Sequence, residues 1–393
     1  MRHPWKQVLT ATLAALAVAG CSTVQVARPV EAPSGRPEPA ATGHWQFDAG
    51  DRPPAERDGY RPPRRLAVLL PLSGSLATAA GPVRDGLLAG YYGEYRRRPD
   101  LEFYDTAGTA RGAVDAYRRA VAEGADQVVG PLGREEVDAV FAQTVATVPV
   151  LALNRAGAPP VNSASYALAP EDEGTAAADF FAARNALRVL VLSSGDDNAR
   201  RSTGALAARL GELGGGVVQT LAVVGDEPPD LVGAMQAALQ REGGVDAVYM
   251  ALRGPQARLM AAQVSAAGLH GRPRAATSQL LSGTGNPEED AALDGIAFPS
   301  DAWTVSGAPG LPAARGVAEA LPTARGPAAR LFAFGYDAWL LSAYLGHLAS
   351  SPEASVSSAS GVLRMGPGGH VLRTPAWSTF SGGQVVPLAG AGR

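Results

Sequence analysis

Short apolar runs that alternate with helix-length segments constrain this chain more than any other feature. Residues 66–70 read Leu-Ala-Val-Leu-Leu and stop at Pro71. A run that is apolar at every position suits a strand buried on both faces of a parallel sheet. A helix over 79–97 is expected next, then strands at 101–105, 127–129 and 148–153, separated by helices at 112–123 and 134–147. A second series repeats the pattern. Its helices fall at 171–185, 199–213, 231–240 and 255–267, and its strands at 188–192, 217–224, 247–251 and 275–277. This order predicts an α/β chain of two doubly wound parallel-sheet lobes joined by a hinge. A late helix over 328–349 and a hairpin of 361–364 with 371–377, turning at Gly366-Pro367-Gly368-Gly369, complete the chain. The expected division is lobe 1 at 64–182 plus 315–350, lobe 2 at 183–314, and a C-terminal hairpin and tail at 351–393.

The first residues carry an address. Arg2, His3 and Lys6 precede an apolar stretch over 8–19 that runs into Val18-Ala19-Gly20-Cys21. The stretch is too short for a comfortable transmembrane helix, so 1–20 reads as a lipoprotein signal peptide. Cys21 stands where a lipoprotein signal peptidase would leave it as the new N-terminus. Acyl chains there would anchor the protein, since each buried CH₂ adds ~0.8 kcal/mol and two chains hold stably. Ser22 follows the cysteine, and by resemblance to Gram-negative lipoproteins that implies the outer membrane. Residues 21–63 are rich in Pro, Ala, Gly, Arg and Glu without an apolar period, and are expected to form a disordered periplasmic tether. At ~3.3 Å per residue it could reach on the order of 100 Å. Structure is expected to begin at Arg64.

Composition excludes several chemistries. Cys21 is the only cysteine and Lys6 the only lysine. The mature chain then has no disulfide, no thiolate metal site, no P-loop or Schiff-base lysine and no Ser–Lys dyad. A net charge of −3 gives no electrostatic footprint for nucleic acid. G-x-S-x-G, H-E-x-x-H and G-x-G-x-x-G patterns are missing, and the five histidines are isolated. His347 falls inside the late helix and reads as a partly buried helix residue. No catalytic residue, cofactor or metal is expected.

Ligand-facing residues in open α/β sheets lie at the carboxyl ends of strands. Ser73 and Gly74 after the first strand, Tyr104 and Asp105 at the end of the second, Gly130 and Pro131 after the third, and Asn154 after the fourth are the candidates. Each reads equally as an ordinary turn residue. Glu171-Asp172-Glu173 precedes an apolar-periodic run and reads as a helix N-terminus, where acids offset the macrodipole. Asp196-Asp197-Asn198 reads as an N-cap, Glu288-Glu289-Asp290 as a solvated surface, and Arg96-Arg97-Arg98 as the cationic close of the first helix.

Two tandem α/β lobes behind an export signal resemble the type I periplasmic-binding-protein fold. Leu69-Leu70-Pro71-Leu72-Ser73-Gly74, Val83-Arg84-Asp85-Gly86 and Tyr91-Tyr92 resemble the start of the LppC/LpoA family. Val129-Gly130-Pro131-Leu132, Pro149-Val150-Leu151-Ala152-Leu153-Asn154, Ala169-Pro170-Glu171-Asp172-Glu173 and Tyr336-Asp337-Ala338-Trp339 follow in family order. Ser360-Gly361-Val362-Leu363 and the segment over 371–380 close a resemblance that covers about 65–388. Long family members carry an α-helical repeat domain before this part, so the chain is expected to be a short form. The resemblance implies an outer-membrane lipoprotein that activates a class A penicillin-binding protein in peptidoglycan synthesis through protein–protein contact. The alternative is a periplasmic amino-acid-type binding protein of an ABC transporter, which shares the fold. A small ligand in the inter-lobe cleft is compatible with both.

Overall fold

The computed structural model describes residues 52–143, 148–225 and 229–388. The residues expected to form a signal peptide, Cys21, and the part of the expected tether up to Asp51 lie outside these residues.

The first alternating series folds as β1 (Arg65–Leu70), α1 (Ala77–Gly93), β2 (Asp100–Asp105), α2 (Ala110–Ala122), β3 (Gln127–Val129), α3 (Arg134–Gln143), β4 (Val150–Ala152) and β5 (Ala164–Ser165). Its strands form a parallel sheet in the order β2-β1-β3-β4-β5. β1 is buried from Leu66 to Leu70, as its unbroken apolar run requires of a strand covered on both faces. α2 starts where Thr109 Oγ1 accepts from the Gly112 N–H at 3.0 Å.

The second series is α4 (Pro170–Ala182), β6 (Arg188–Ser193), α5 (Asp197–Glu212), β7 (Gly216–Ala222), α6 (Val232–Leu239), β8 (Ala247–Ala251), α7 (Gly254–Ala266), β9 (Arg274–Ala276), α8 (Pro287–Asp290) and β10 (Ala297–Ser300). The parallel order β7-β6-β8-β9-β10 repeats the order of the first sheet. The chain then runs through α9 (Ala302–Val305), α10 (Ala314–Ala320) and α11 (Ala328–Ser350) to β11 (Ser355–Ser357), β12 (Gly361–Met365), β13 (Val371–Ser381) and β14 (Gln384–Pro387). These last four strands pair antiparallel. β13 pairs with β12 through Pro375, then with β10 from Ala376, while His370 just before it bridges Ser165 of β5. One strand therefore runs from the edge of the first sheet into the second.

α11 returns to the first sheet and packs on α1. The two backbones meet at a pair of glycines: a Cβ on Gly86 would lie 1.9 Å from the Phe332 carbonyl oxygen, and one on Gly335 would lie 2.0 Å from that of Val83. Only glycine permits that approach. Trp339 and Leu87 are buried in the core this contact closes.

Three sequence expectations need correction. Structure begins before Arg64. Arg52 donates to Asp126 Oδ2 at 2.7 Å and to Gln127 Oε1 at 3.0 Å, and buried Tyr60 donates to the Arg97 carbonyl at 2.8 Å. Isolated anchors of this kind carry no periodic pattern. Second, α1 ends at Gly93, so Arg96-Arg97-Arg98 lie in the loop that follows. Arg96 there pairs with Glu94 at 2.8 Å and Asp58 at 2.9 Å, its guanidinium 3.7 Å above the Tyr60 ring. Third, Asp290 is not solvated: it is 1% exposed and accepts from Arg258 at 2.6 Å. Of the helix expected over 134–147, residues 144–147 lie outside the described residues.

Candidate functional site

The parallel register sets Leu70 beside Asp105, so the loop after β1 and the end of β2 share one edge of the sheet. Asp105 organises that edge. Its Oδ1 accepts from the N–H groups of Leu72 (2.9 Å), Ser73 (3.2 Å) and Ala107 (2.8 Å), and its Oδ2 from the Ser73 hydroxyl (2.7 Å). The Ser73 hydroxyl and these amides hold the carboxyl below the ordinary aspartate range, against a smaller effect of desolvation. Gly74, at φ +81°, turns the chain toward α1.

Gly130 and Pro131 end the neighbouring strand and are buried. Gly130 has φ +101°, and a Cβ there would lie 2.0 Å from the Leu69 carbonyl oxygen, so the close approach of β1 dictates glycine. Pro131 accepts from the Leu153 N–H at 2.9 Å. Asn154 donates from Nδ2 to the Leu132 carbonyl at 2.9 Å. Ser73, Gly74, Asp105, Gly130, Pro131 and Asn154 thus lie at one sheet edge. The polar atoms of Ser73, Asp105 and Asn154 are engaged in holding its loops together.

Tyr104 does not belong with them. Successive strand residues point to opposite faces, and Tyr104 is 6% exposed beneath α2, its hydroxyl donating to Glu123 at 2.6 Å.

The strongest polar constellation went unread in the sequence. Three connections pass between the two sheets: the chain into α4, the run from β10 through α9 and α10 to α11, and the return into β13. Each contributes to a buried charged cluster. Glu173 of α4 accepts from Arg330 of α11 at 2.6 Å and from the Ser278 hydroxyl and N–H at 2.7 and 3.0 Å. Arg330 also bonds the Ser278 hydroxyl. Arg373 of β13 lies 3.6 Å from Glu173 and 3.8 Å from Asp301, and donates to the Ser360 carbonyl at 3.3 Å. Burial pushes the Glu173 carboxyl up, but Arg330 and Arg373 outweigh it and hold the group below its ordinary range. Asp301 is the reverse case: burial dominates the two arginines and pushes it up.

Beside this cluster, Asp337 of α11 is fully buried. It accepts from Ala359 N (2.7 Å), Ser360 N (3.1 Å), the Tyr166 hydroxyl (2.8 Å) and the Ser358 hydroxyl (3.1 Å). Burial still raises it to about 6. Arg155 and Asp172 add a bidentate pair at 2.9 and 3.1 Å, and Arg155 also bonds the Val371 carbonyl. Two signals were available. Asp337 interrupts an apolar helix, and Arg373 occupies the same strand phase as Val371, Pro375 and Trp377, all buried.

Ser165 Oγ and His370 Nδ1 lie 2.6 Å apart, but Ser165 is fully buried and the pair clamps β5 to the start of β13. Among the described residues no cluster of His, Cys, Asp and Glu could hold a metal ion, and no helix is long and apolar enough to cross a membrane.

Two α/β units of identical parallel order, crossed by three connections, define a periplasmic-binding-protein-like fold. A solved structure described as a putative branched-chain amino acid ABC transporter from Chromobacterium violaceum matches at TM-score 0.63 and 28% identity, covering 80% of this chain and 99% of that one. The C-domain of LpoA from Haemophilus influenzae, described as a regulator of PBP1A, matches at TM-score 0.70 and 22% identity, over 83% of this chain and 100% of that one.

The chain belongs to the LppC putative lipoprotein family, whose model matches residues 60–383. The penicillin-binding protein activator LpoA of Mannheimia succiniciproducens is 26% identical over 334 residues, 82% of this chain and 55% of that protein. The chain spans about half the length of the curated relatives it matches.

Proposed function

We propose that this chain is an outer-membrane lipoprotein, anchored through acylated Cys21 and facing the periplasm, that activates a class A penicillin-binding protein by direct contact. Family membership, and the activator name its relatives share, carry the reading. The site geometry supports it. An amino-acid receptor needs donors for a carboxylate and acceptors for an ammonium group at the strand ends. Here Ser73, Asp105 and Asn154 already bond within the protein. The clamps joining the three connections favour a body that presents fixed surfaces.

The two lobes, 64–182 plus 315–350 and 183–314, would meet at this clamped hinge, with 351–393 tying them. Activation needs no chemistry from the chain itself. A regulator that binds the active synthase conformer more tightly shifts the population toward it, and a differential of ~1–3 kcal/mol corresponds to roughly 5–150-fold. The lipid anchor and tether would raise the effective concentration near the cell wall.

Affinity capture from crosslinked cells tests this reading. Recovery of a class A penicillin-binding protein is expected. Recovery of a transporter permease in its place would move the assignment to a solute receptor.

A further inference from the structure

The stretch over 52–61 is tied to the first sheet and to α11. Arg52 donates to Asp126 Oδ2 at 2.7 Å, and the Arg61 N–H donates to the Ala343 carbonyl at 2.9 Å. This stretch and the last turns of α11 enclose a cavity of about 380 Å³. Its apolar wall is formed by Ala55, Ala343, Leu345, Gly346 and Ala349, and a Cβ on Gly346 would meet nothing within 4 Å. An apolar cavity of about 150 Å³ already holds a benzene ring, so this one has room for an aromatic side chain. Its charge has one sign. No carboxylate lines it among the described residues. Arg52 is neutralised by Asp126, but the Arg61 guanidinium donates to the carbonyls of Pro53 and Arg52, at 2.9 and 3.3 Å, and no carboxylate pairs with it among the described residues.

The chain itself supplies a segment that matches. Arg52, the first described residue, is part of the cavity wall, so the residues just before it begin at the cavity. They read His44-Trp45-Gln46-Phe47-Asp48-Ala49-Gly50-Asp51. Trp45 and Phe47 are the only Trp, Phe or Tyr residues between Cys21 and Tyr60, in a stretch otherwise dominated by small and polar residues. Trp45 stands seven positions before Arg52, ~23 Å at full extension, so one reversal returns it to the cavity. Gly50 holds the third place of Asp48-Ala49-Gly50-Asp51, where a type II turn requires positive φ. Asp48 and Asp51 bring the carboxylates that the cavity wall lacks.

We propose that residues 44–51 of this chain fold back onto the cavity, with the Trp45 indole against Leu345, Gly346 and Ala349 and the Asp48 carboxylate facing Arg61. The inference goes beyond the activator reading and does not depend on it. Docking would take eight residues out of the free tether, a loss of roughly 25 Å of reach. It would also fix the point at which the tether leaves the body, beside the C-terminal end of α11. The docked segment thus sets how far from its anchor, and in which orientation, the folded part is presented.

The test is fluorine NMR of the full, detergent-solubilised chain labelled with fluorotryptophan. Loss of one line in Trp45→Phe assigns the Trp45 resonance. In wild type that line is expected away from the position of free fluorotryptophan, with little shift between H₂O and D₂O, because a docked indole is shielded from solvent. Gly346→Phe fills the cavity from an exposed helix position, and Arg61→Glu reverses the charge that faces Asp48. Each variant should return the line to the free position with a full solvent shift. The lines of Trp303 and Trp377, both buried, stay in place where a variant is folded. A wild-type Trp45 line at the free position would overturn the proposal. So would a shielded line that neither variant moves, since the segment would then dock elsewhere. A line whose position depends on chain concentration would place the segment of a second copy in the cavity and overturn it as well.

Discussion

Replacing Glu173 by Gln is expected to destabilise the protein by about 3–5 kcal/mol at pH 7. The carboxylate is 4% exposed and faces Arg330 at 2.6 Å and Arg373 at 3.6 Å. Its charge-assisted bond to Arg330 is worth ~1.5–3 kcal/mol, and each of two bonds from Ser278 ~0.5–1.5 kcal/mol. The amide keeps the size but turns a donor toward guanidinium groups that only donate. Buried Arg373 and half-buried Arg330 would then share Asp301, whose own carboxyl is pushed up by burial. Removing one partner of a buried pair costs ~3–5 kcal/mol, a large part of a typical stability of ~5–15 kcal/mol. The pH dependence has a definite sign. Glu173 is held below its ordinary value of 4.5 in the folded state, so its contribution is present above the unfolded value and is lost as pH falls through the folded one. The variant should lack that component of acid sensitivity. Urea unfolding of wild type, Glu173→Gln, Arg330→Met and the double variant, each at several pH values, measures the effect. The double variant should cost less than the two singles together by about 1–3 kcal/mol. A single-variant cost below about 1 kcal/mol, or coupling within about 0.5 kcal/mol of zero, would refute the account of the clamp.

Three further outcomes follow. Gly335→Ala should cost about 3 kcal/mol, because its Cβ would meet the Val83 carbonyl at 2.0 Å, whereas Gly346→Ala on the same helix meets nothing and should stabilise by about 0.5–1 kcal/mol; thermal unfolding compares them. Asp337 is raised from 3.8 to about 6 by burial, so its contribution is fully present below the unfolded value and lost as pH rises through the folded one. The urea stability of wild type relative to Asp337→Asn should therefore be greater at pH 4.5 than at pH 7.5, by about 2 kcal/mol, and equal differences would contradict the shift. Cys21→Ala should move the protein from the membrane fraction to the soluble periplasm, and retention in the membrane would remove the anchor assignment.

Those clamps also mark where sequence reasoning stops. The run at Leu66–Leu70 is legible because a strand covered on both faces leaves a local signature, and the parallel sheet follows from the alternation it begins. Asp196 is equally local: it caps α5, accepting from the Ala199 N–H three residues on, at 2.9 Å. Glu173 reads correctly as the start of a helix, but its partners Ser278 and Arg330 stand 105 and 157 positions away, beyond any periodic pattern. Tyr104 was misplaced because proximity to a strand end does not decide which face a side chain takes. Ser73 and Asp105 do lie at one sheet edge. Their commitment to each other, at 2.7 Å, follows from the register of β1 with β2, which the sequence does not display.

The central claim is activation of a synthase by contact. Glycan polymerisation and peptide crosslinking by the class A penicillin-binding protein of the same organism, measured with and without this chain and without any added solute, test it most directly. A saturable rise in either rate, with no turnover by the chain alone, is the predicted result. Unchanged rates at saturating chain, together with tight binding of a free amino acid, would contradict it.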